Sequence, residues 1–321
     1  MAKLVIQFIK ILLLFVLDYF AVSNVKPEKH GLLVIRVDNI GDFVIWLPYY
    51  ELLAKYYSDD KKAVLICNQA CVELAARTGF FEIVIGVDPA RLKRVSKYRF
   101  RTLRTVAKLG ATIAIQPTYS RVFLTGDSLV RASAAKLRIG FDGDLNNILP
   151  WQKWISDRWY TKLVAGSAPP MMEVDRNAEL LRKLGISDGG YVPPVMPKLV
   201  ELPVEKKPAV DYFVVFPGAS SPTRMWPVES FATLTKKIVD KYDLVPVICG
   251  GVLEQELGDL LLRQIRDERG KNFVGNTSLP ELVEIIREAR LVVSNETSAI
   301  HISAAVSTPS VCVLGGGHYG R

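Results

Sequence analysis

Residues 289–317 read ARLVVSNETSAIHISAAVSTPSVCVLGGG, and the fold is decided by this stretch. Leu291-Val292-Val293 is a short apolar run, as a parallel strand buried on both faces requires. Asn295 to Ser298 carry turn and cap chemistry, and Ala299 to Val306 reads as a helix of small residues stopped by Thr308-Pro309. Ser310 to Leu314 reads as a second buried strand that runs into Gly315-Gly316-Gly317. Strand, tight turn, helix and strand form the unit from which an open parallel sheet is built. Such a turn sets the N–H groups of Glu296, Thr297 and Ser298 at a helix N-terminus, where the dipole favours an anion. Thr297 and Ser298 add hydroxyls, and His301 lies four residues after Thr297, on the same helix face. A diphosphate suits that arrangement. A capped helix with a buried histidine accounts for the same letters.

Two further stretches point to the ligand. Tyr212 to Phe216 is an apolar strand followed by Pro217-Gly218-Ala219-Ser220-Ser221-Pro222-Thr223-Arg224-Met225-Trp226-Pro227 and a helix from Val228. A Gly/Ser loop that leaves a strand and carries a cation makes a second contact to phosphate. Near the front, Leu32 to Val37 reads as a strand, and Asp38-Asn39-Ile40-Gly41-Asp42 turns into a helix over Phe43 to Tyr57. This places Asp42 near the C-terminal end of the first strand, where open α/β sheets put their ligands.

In this order the three motifs resemble glycosyltransferase family 9, the heptosyltransferases of the lipopolysaccharide inner core. Members show a strand running into G-D, a G-x-x-x-x-x-K-x-W-P loop and a D-T-G-x-x-H turn. The matching positions are Gly41-Asp42, Gly218 with Arg224, Trp226 and Pro227, and Glu296-Thr297-Ser298 with His301. The resemblance spans residues 31 to 317. It departs at Arg224, which stands for Lys and keeps a cation on phosphate, and at Glu296-Thr297-Ser298, which stands for Asp-Thr-Gly. The longer carboxylate of Glu296 bears on which sugar or nucleotide is read.

The resemblance implies an α/β protein of GT-B architecture: two Rossmann-like, doubly wound parallel-sheet domains facing a cleft, here with an apolar N-terminal helix. It implies inverting, metal-independent transfer of a heptose-like sugar from a nucleotide-sugar, ADP-heptose in the best-known members. The acceptor is a lipopolysaccharide core or related glycan. The nucleotide-sugar is a substrate, and no cofactor is expected. Asp42 is the expected base, its alternative being a cap on the helix from Phe43. Gly218, Ser220, Thr223, Arg224, Glu296, Thr297, Ser298 and His301 are expected to hold the donor, with His301 either donating to phosphate or bracing the turn. Two other functions stay open: a nucleotide-sugar epimerase of the same architecture, and a non-catalytic, membrane-associated nucleotide-sugar binder. A nucleotide-dependent dehydrogenase is not expected, because no G-x-G-x-x-G follows the first strand.

Composition and charge bound the partners. A net charge of +8 points to an acidic partner. Cys67, Cys71, Cys249 and Cys312 lie on or beside apolar strand runs, with neither zinc-site nor disulfide spacing, which fits a reducing compartment. Asp142-Gly143-Asp144 matches the metal motif of another glycosyltransferase fold but reads as a turn.

Leu4 to Val22 is almost wholly apolar, and Lys3, Gln7, Lys10 and Asp18 trace one narrow polar stripe on a helix. Lys10 near its middle disfavours a membrane span. An interfacial helix on the inner face of the cytoplasmic membrane is the preferred reading, and a helix packed on its own domain is the alternative. Arg91 to Lys108 holds eight cations and no acid. Arg91, Lys93, Arg94, Lys97 and Arg101 are expected to contact an anionic glycolipid acceptor or the membrane, unless the run is simply a solvated face. Nucleic acid is not expected, since stacking aromatics are few. Trp151, Lys153, Trp154, Arg158, Trp159, Tyr160 and Lys162 form a second basic, aromatic cluster, either interfacial or a loop over a core. The expected divisions are 1–30, a membrane-associating helix and linker; 31–192, the acceptor domain; 193–210, a proline-rich linker; and 211–321, the nucleotide-sugar domain. The family carries further C-terminal residues, so the resemblance implies that the chain is truncated.

Overall fold

Six apolar runs in the first half of the chain fold as strands: β1 (Leu32–Arg36), β2 (Val64–Asn68), β3 (Ile83–Val87), β4 (Ile113–Gln116), β5 (Leu137–Phe141) and β6 (Lys162–Val164). Five more follow: β7 (Tyr212–Phe216), β8 (Val245–Ile248), β9 (Lys271–Asn272), β10 (Val292–Asn295) and β11 (Ser310–Val313). The computed structural model describes residues 2–57, 63–168, 171–187 and 190–315, with side chains from residue 9 onward. The side chains of Lys3 and Gln7, and Gly316-Gly317, lie outside the described residues.

The first sheet has the order β3-β2-β1-β4-β5-β6 and the second β11-β10-β7-β8-β9, with every pairing parallel. Burial on both faces is why β7 and the first four residues of β1 are apolar rather than alternating, while Arg36, which ends β1, is buried with its guanidinium paired to Asp38 and Glu173. In each sheet the chain builds outward from a central strand, then returns to that strand's other side. The strand order therefore reverses between β1 and β4, and again between β7 and β10. Open sheets leave a crevice at the carboxyl ends of such strands, because successive connections diverge there.

The chain divides into two compact units, 1–39 with 49–192, and 40–48 with 193–321. The helix Ile40–Tyr57 belongs partly to each and carries Pro48 at the division. Separate cores support the two units. One is built around Leu33, Ile35, Ile66, Leu103 and Val106, the other around Phe213, Val215, Phe231, Ile248 and Leu261.

Tyr212–Phe216 falls where the sequence places it, and the strands expected at Leu32–Val37, Leu291–Val293 and Ser310–Leu314 shift by one or two residues at their ends. β6 was not expected: it is three residues long, begins at Lys162, the last residue of the basic, aromatic cluster, and pairs with β5. Trp151, Lys153 and Trp154 of that cluster lie on the helix Pro150–Ser156, and Arg158 and Trp159 on the 3-10 turn that follows it.

The N-terminal helix, Ala2–Val22, packs against the helix Lys97–Leu109. Asp18 does not join a solvated polar stripe. It is buried, and both its oxygens accept from Arg99, at 2.6 Å each. Arg99 likewise leaves the solvated face: Nη1 donates to the carbonyls of Leu92 and Leu124, and Nη2 to Ser128. A buried guanidinium is tolerable only when its donors are met this completely. Asp142 and Asp144 are occupied locally, by Gly166 N and by Ser120 and Asn146, around Gly143 at φ 71°. That is the turn the sequence suggests.

Candidate functional site

The loops after β7 and β10 leave adjacent strands at the point where the second sheet reverses. Asn295, the last residue of β10, joins them. Its fully buried amide donates to the carbonyls of Pro217 (2.6 Å) and Gly218 (3.2 Å) and accepts from Trp226 N (3.0 Å). The Gly218–Trp226 loop is thereby fixed against the turn at Glu296.

Arg224 reaches across that junction. Its Nη2 lies 3.0 Å from the Glu296 carboxylate and 3.4 Å from the Glu296 carbonyl, while Nη1 donates to Ser220 Oγ at 3.1 Å. Thr223 exchanges a hydrogen bond with Ser221 at 2.9 Å. Both Arg224 and Glu296 are only partly buried, so a ligand can reach the pair. A Cβ on Gly315 would stand 3.6 Å from the Arg224 side chain and 3.8 Å from the Glu296 carboxylate, so the chain after β11 runs beside the same pair.

Thr297 caps the helix Ser298–Ala305: its Oγ1 accepts from Ala299 N at 3.3 Å and meets Ser294 Oγ at 2.9 Å. The ordinary capping role is thus filled, and the helix dipole still favours an anion at Ser298. His301 lies one turn further in. Burial lowers its pKa below 6.5, while the carboxylates of Asp42 and Glu296 pull it back up. The imidazole is therefore neutral near pH 7, able to donate one N–H without adding a charge. Its ring lies so close to Gly41 that a Cβ there would stand 2.5 Å from Cδ2, so any other residue at 41 would push the imidazole aside. The segment 40–48 belongs to the second unit, where the Asp42 carboxylate lies close enough to His301 to act on its charge. Asp42 lies in the first turn of Ile40–Tyr57 rather than in front of it, so it is not the N-cap.

Sequence reasoning passed over two residues. Asn295 read as a turn residue, although it is the clamp between loops. Glu254 carried no motif, yet its carboxylate stands over Gly218 and Gly250 where side chains would otherwise sit, and it accepts from Gly251 N at 2.7 Å. The Gly250-Gly251 pair gave the only signal: two glycines after a strand leave room for something to approach. A carboxylate so placed can accept hydrogen bonds from sugar hydroxyls. Of the basic run, Arg91, Lys93, Arg94, Lys97 and Arg101 are all exposed and belong to the first unit. Arg91 stacks on Tyr98 at 4.2 Å, and Lys97 and Arg101 line a groove beside Leu17. Among the described residues, no group of three or more His, Cys, Asp or Glu side chains is gathered as a metal would need.

Comparison with known proteins bears on the family and the fold. The sequence model of glycosyltransferase family 9 (heptosyltransferase) matches residues 124–319. Lipopolysaccharide heptosyltransferase 2 of Escherichia coli K12 is 30% identical over 103 residues, covering 31% of this chain and 29% of that protein. The chain thus matches under a third of that relative's length. Among solved structures, E. coli ADP-heptose LPS heptosyltransferase II superposes with a TM-score of 0.67 at 19% identity, covering 88% of this chain and 84% of that one. An E. coli heptosyltransferase with ADP gives 0.70 at 17%, covering 88% and 86%. At these identities the likeness is one of fold, and the fold is that of the GT-B glycosyltransferases.

Proposed function

The chain belongs to glycosyltransferase family 9, and from that membership we propose that it moves a sugar from a nucleotide-sugar to a glycan hydroxyl. The donor we assign is ADP-heptose and the acceptor a lipopolysaccharide core sugar, in keeping with the names of the relatives above. The observation that carries this reading is the pocket of the second unit. A cation, two hydroxyl-bearing loops and a helix N-terminus converge there, with Asp42 beside them.

As the acceptor oxygen attacks the anomeric carbon, its proton passes to Asp42. The bond from that carbon to the phosphate oxygen breaks, and the diphosphate leaves with the electron pair. Attack opposite the leaving group inverts the centre. Charge builds on the leaving oxygens, and fixed donors already aimed at them stabilise it without reorganising. Arg224, Ser220, Thr223, the Thr297–Ser298 turn and neutral His301 are those donors, so no metal is required in this reading. Glu296 releases part of Arg224 to phosphate and turns its carboxylate towards donor hydroxyls, with Glu254 on the other side of Gly218. An acceptor carried on lipid puts the reaction at the inner face of the cytoplasmic membrane, and the exposed cations of the first unit suit an anionic glycolipid.

The test is calorimetric titration of nucleoside diphosphates and nucleotide-sugars, with and without EDTA, beside a transfer assay. Saturable, EDTA-insensitive binding, retained in Asp42→Asn while transfer falls about 10²–10⁴-fold, is expected. Folded protein that binds none of these ligands refutes the donor site. Transfer undiminished in Asp42→Asn refutes the base.

A further inference from the structure

We propose that the first unit docks on an anionic phospholipid bilayer through the outward face of the N-terminal helix, with Lys97 and Arg101 on its flank. This deepens the membrane part of the reading above and rests on it only for which bilayer is meant.

The helix turns the wrong face to water for a soluble protein. Ile9, Leu12, Leu13, Val16, Tyr19 and Phe20, spaced by three and four residues, form one face, and all are about half exposed or more. Its other face is spoken for: Leu14, Asp18 and Ala21 are buried, and Asp18 is locked to Arg99. An apolar stripe held outward by a buried ion pair cannot roll inward to hide itself. Exposed patches of this kind mark interaction sites.

Charge names the occupant. Lys10 and Leu17 are seven residues apart, on one edge of the helix, and Leu17 lines an open groove of about 430 Å³ with Ser96, Lys97, Phe100 and Arg101. Lys97, Arg101, Arg104 and Lys108 recur at helical spacing on the neighbouring helix, which has no acid. The opposite edge is aromatic. Phe15 packs on Trp159 and Phe123, and Phe123 on Trp151, beyond which Trp154 is 64% exposed. An apolar ridge with cations on one side and tryptophans on the other matches the layers of a bilayer surface: acyl chains, phosphates and the interface. No helix among the described residues is long and apolar enough to cross a membrane, so the helix lies on the bilayer rather than through it.

The full chain is to be sedimented with vesicles of phosphatidylglycerol and phosphatidylethanolamine, and with vesicles of phosphatidylcholine alone. Binding to the anionic vesicles at least tenfold tighter than to the neutral ones is expected. The double variant Lys97→Gln/Arg101→Gln is expected to lose about fivefold per charge on anionic vesicles only. Leu13→Asp/Val16→Asp is expected to abolish binding to both; these side chains are exposed, so folding is spared. No vesicle binding by the unaltered chain, or equal binding by the variants, overturns the proposal. So does lipid-free self-association that Leu13→Asp/Val16→Asp abolishes while vesicles compete for nothing: the face is then a contact between copies. Nucleoside diphosphate binding is measured on every sample. Its absence with vesicle binding intact supports the docking surface and refutes the transferase site, whereas the reverse result refutes only the docking surface.

Discussion

Asn295→Ala tests whether the loops after β7 and β10 are held together as described. The substitution removes one buried donor group and one acceptor. The carbonyl of Pro217 and the N–H of Trp226 lose partners at 2.6 and 3.0 Å, and the carbonyl of Gly218 a weaker one at 3.2 Å. An unmet buried polar group costs about 1–3 kcal/mol, and the two stronger contacts together set an expectation of about 3 kcal/mol. For a unit of this size that is a fall of roughly 10 °C in Tm. The consequence for function is larger than the stability change suggests, because the released loop carries Ser220 and Arg224. Nucleoside diphosphate affinity is expected to drop at least tenfold even at temperatures where the variant is fully folded. Differential scanning calorimetry and isothermal titration on the same samples give both numbers. A Tm within about 2 °C of the parent, with unchanged affinity, refutes the clamp. A stability loss with unchanged affinity refutes its link to the site.

Arg224→Ala is expected to weaken nucleoside diphosphate binding roughly 10–100-fold by titration, the worth of a hydrogen bond to a charged group, with Arg224→Lys in between. Asp18→Ala strands Arg99 in the core, and denaturant unfolding of the first unit is expected to fall by about 3 kcal/mol. The low end of the range for broken buried pairs applies, because Arg99 keeps Leu92, Leu124 and Ser128. His301 is held neutral in the folded chain, below its ordinary value of 6.5. Its contribution to stability is therefore complete above about pH 6.5 and lost as pH falls through the lower, folded value. A plot of Tm against pH should decline more steeply below pH 6.5 for the parent than for His301→Gln, and parallel curves refute the shift.

What the sequence determined by itself was local. Buried parallel strands announce themselves as apolar runs, and glycine, proline and capping residues mark where they stop, because these preferences act over a few residues. Tyr212–Phe216 and the turn at Thr297 were legible for that reason, and the ordered motifs carried the family. β6 was not, since three residues among charged and aromatic neighbours show no period. Tertiary structure alone decided which polar groups are spent inside the fold and which remain for a ligand. Asp18 and Arg99 read as members of two polar surfaces, yet they meet in the core across 81 positions of chain. Asn295 gains its meaning from carbonyls 77 and 78 residues away, and Glu254 from the glycines it covers. Asp42 lies beside His301 only because the segment after the first strand folds with the second unit. In each case the deciding energy is the desolvation of a polar group, and its partner is fixed by packing between distant segments rather than by neighbours in sequence.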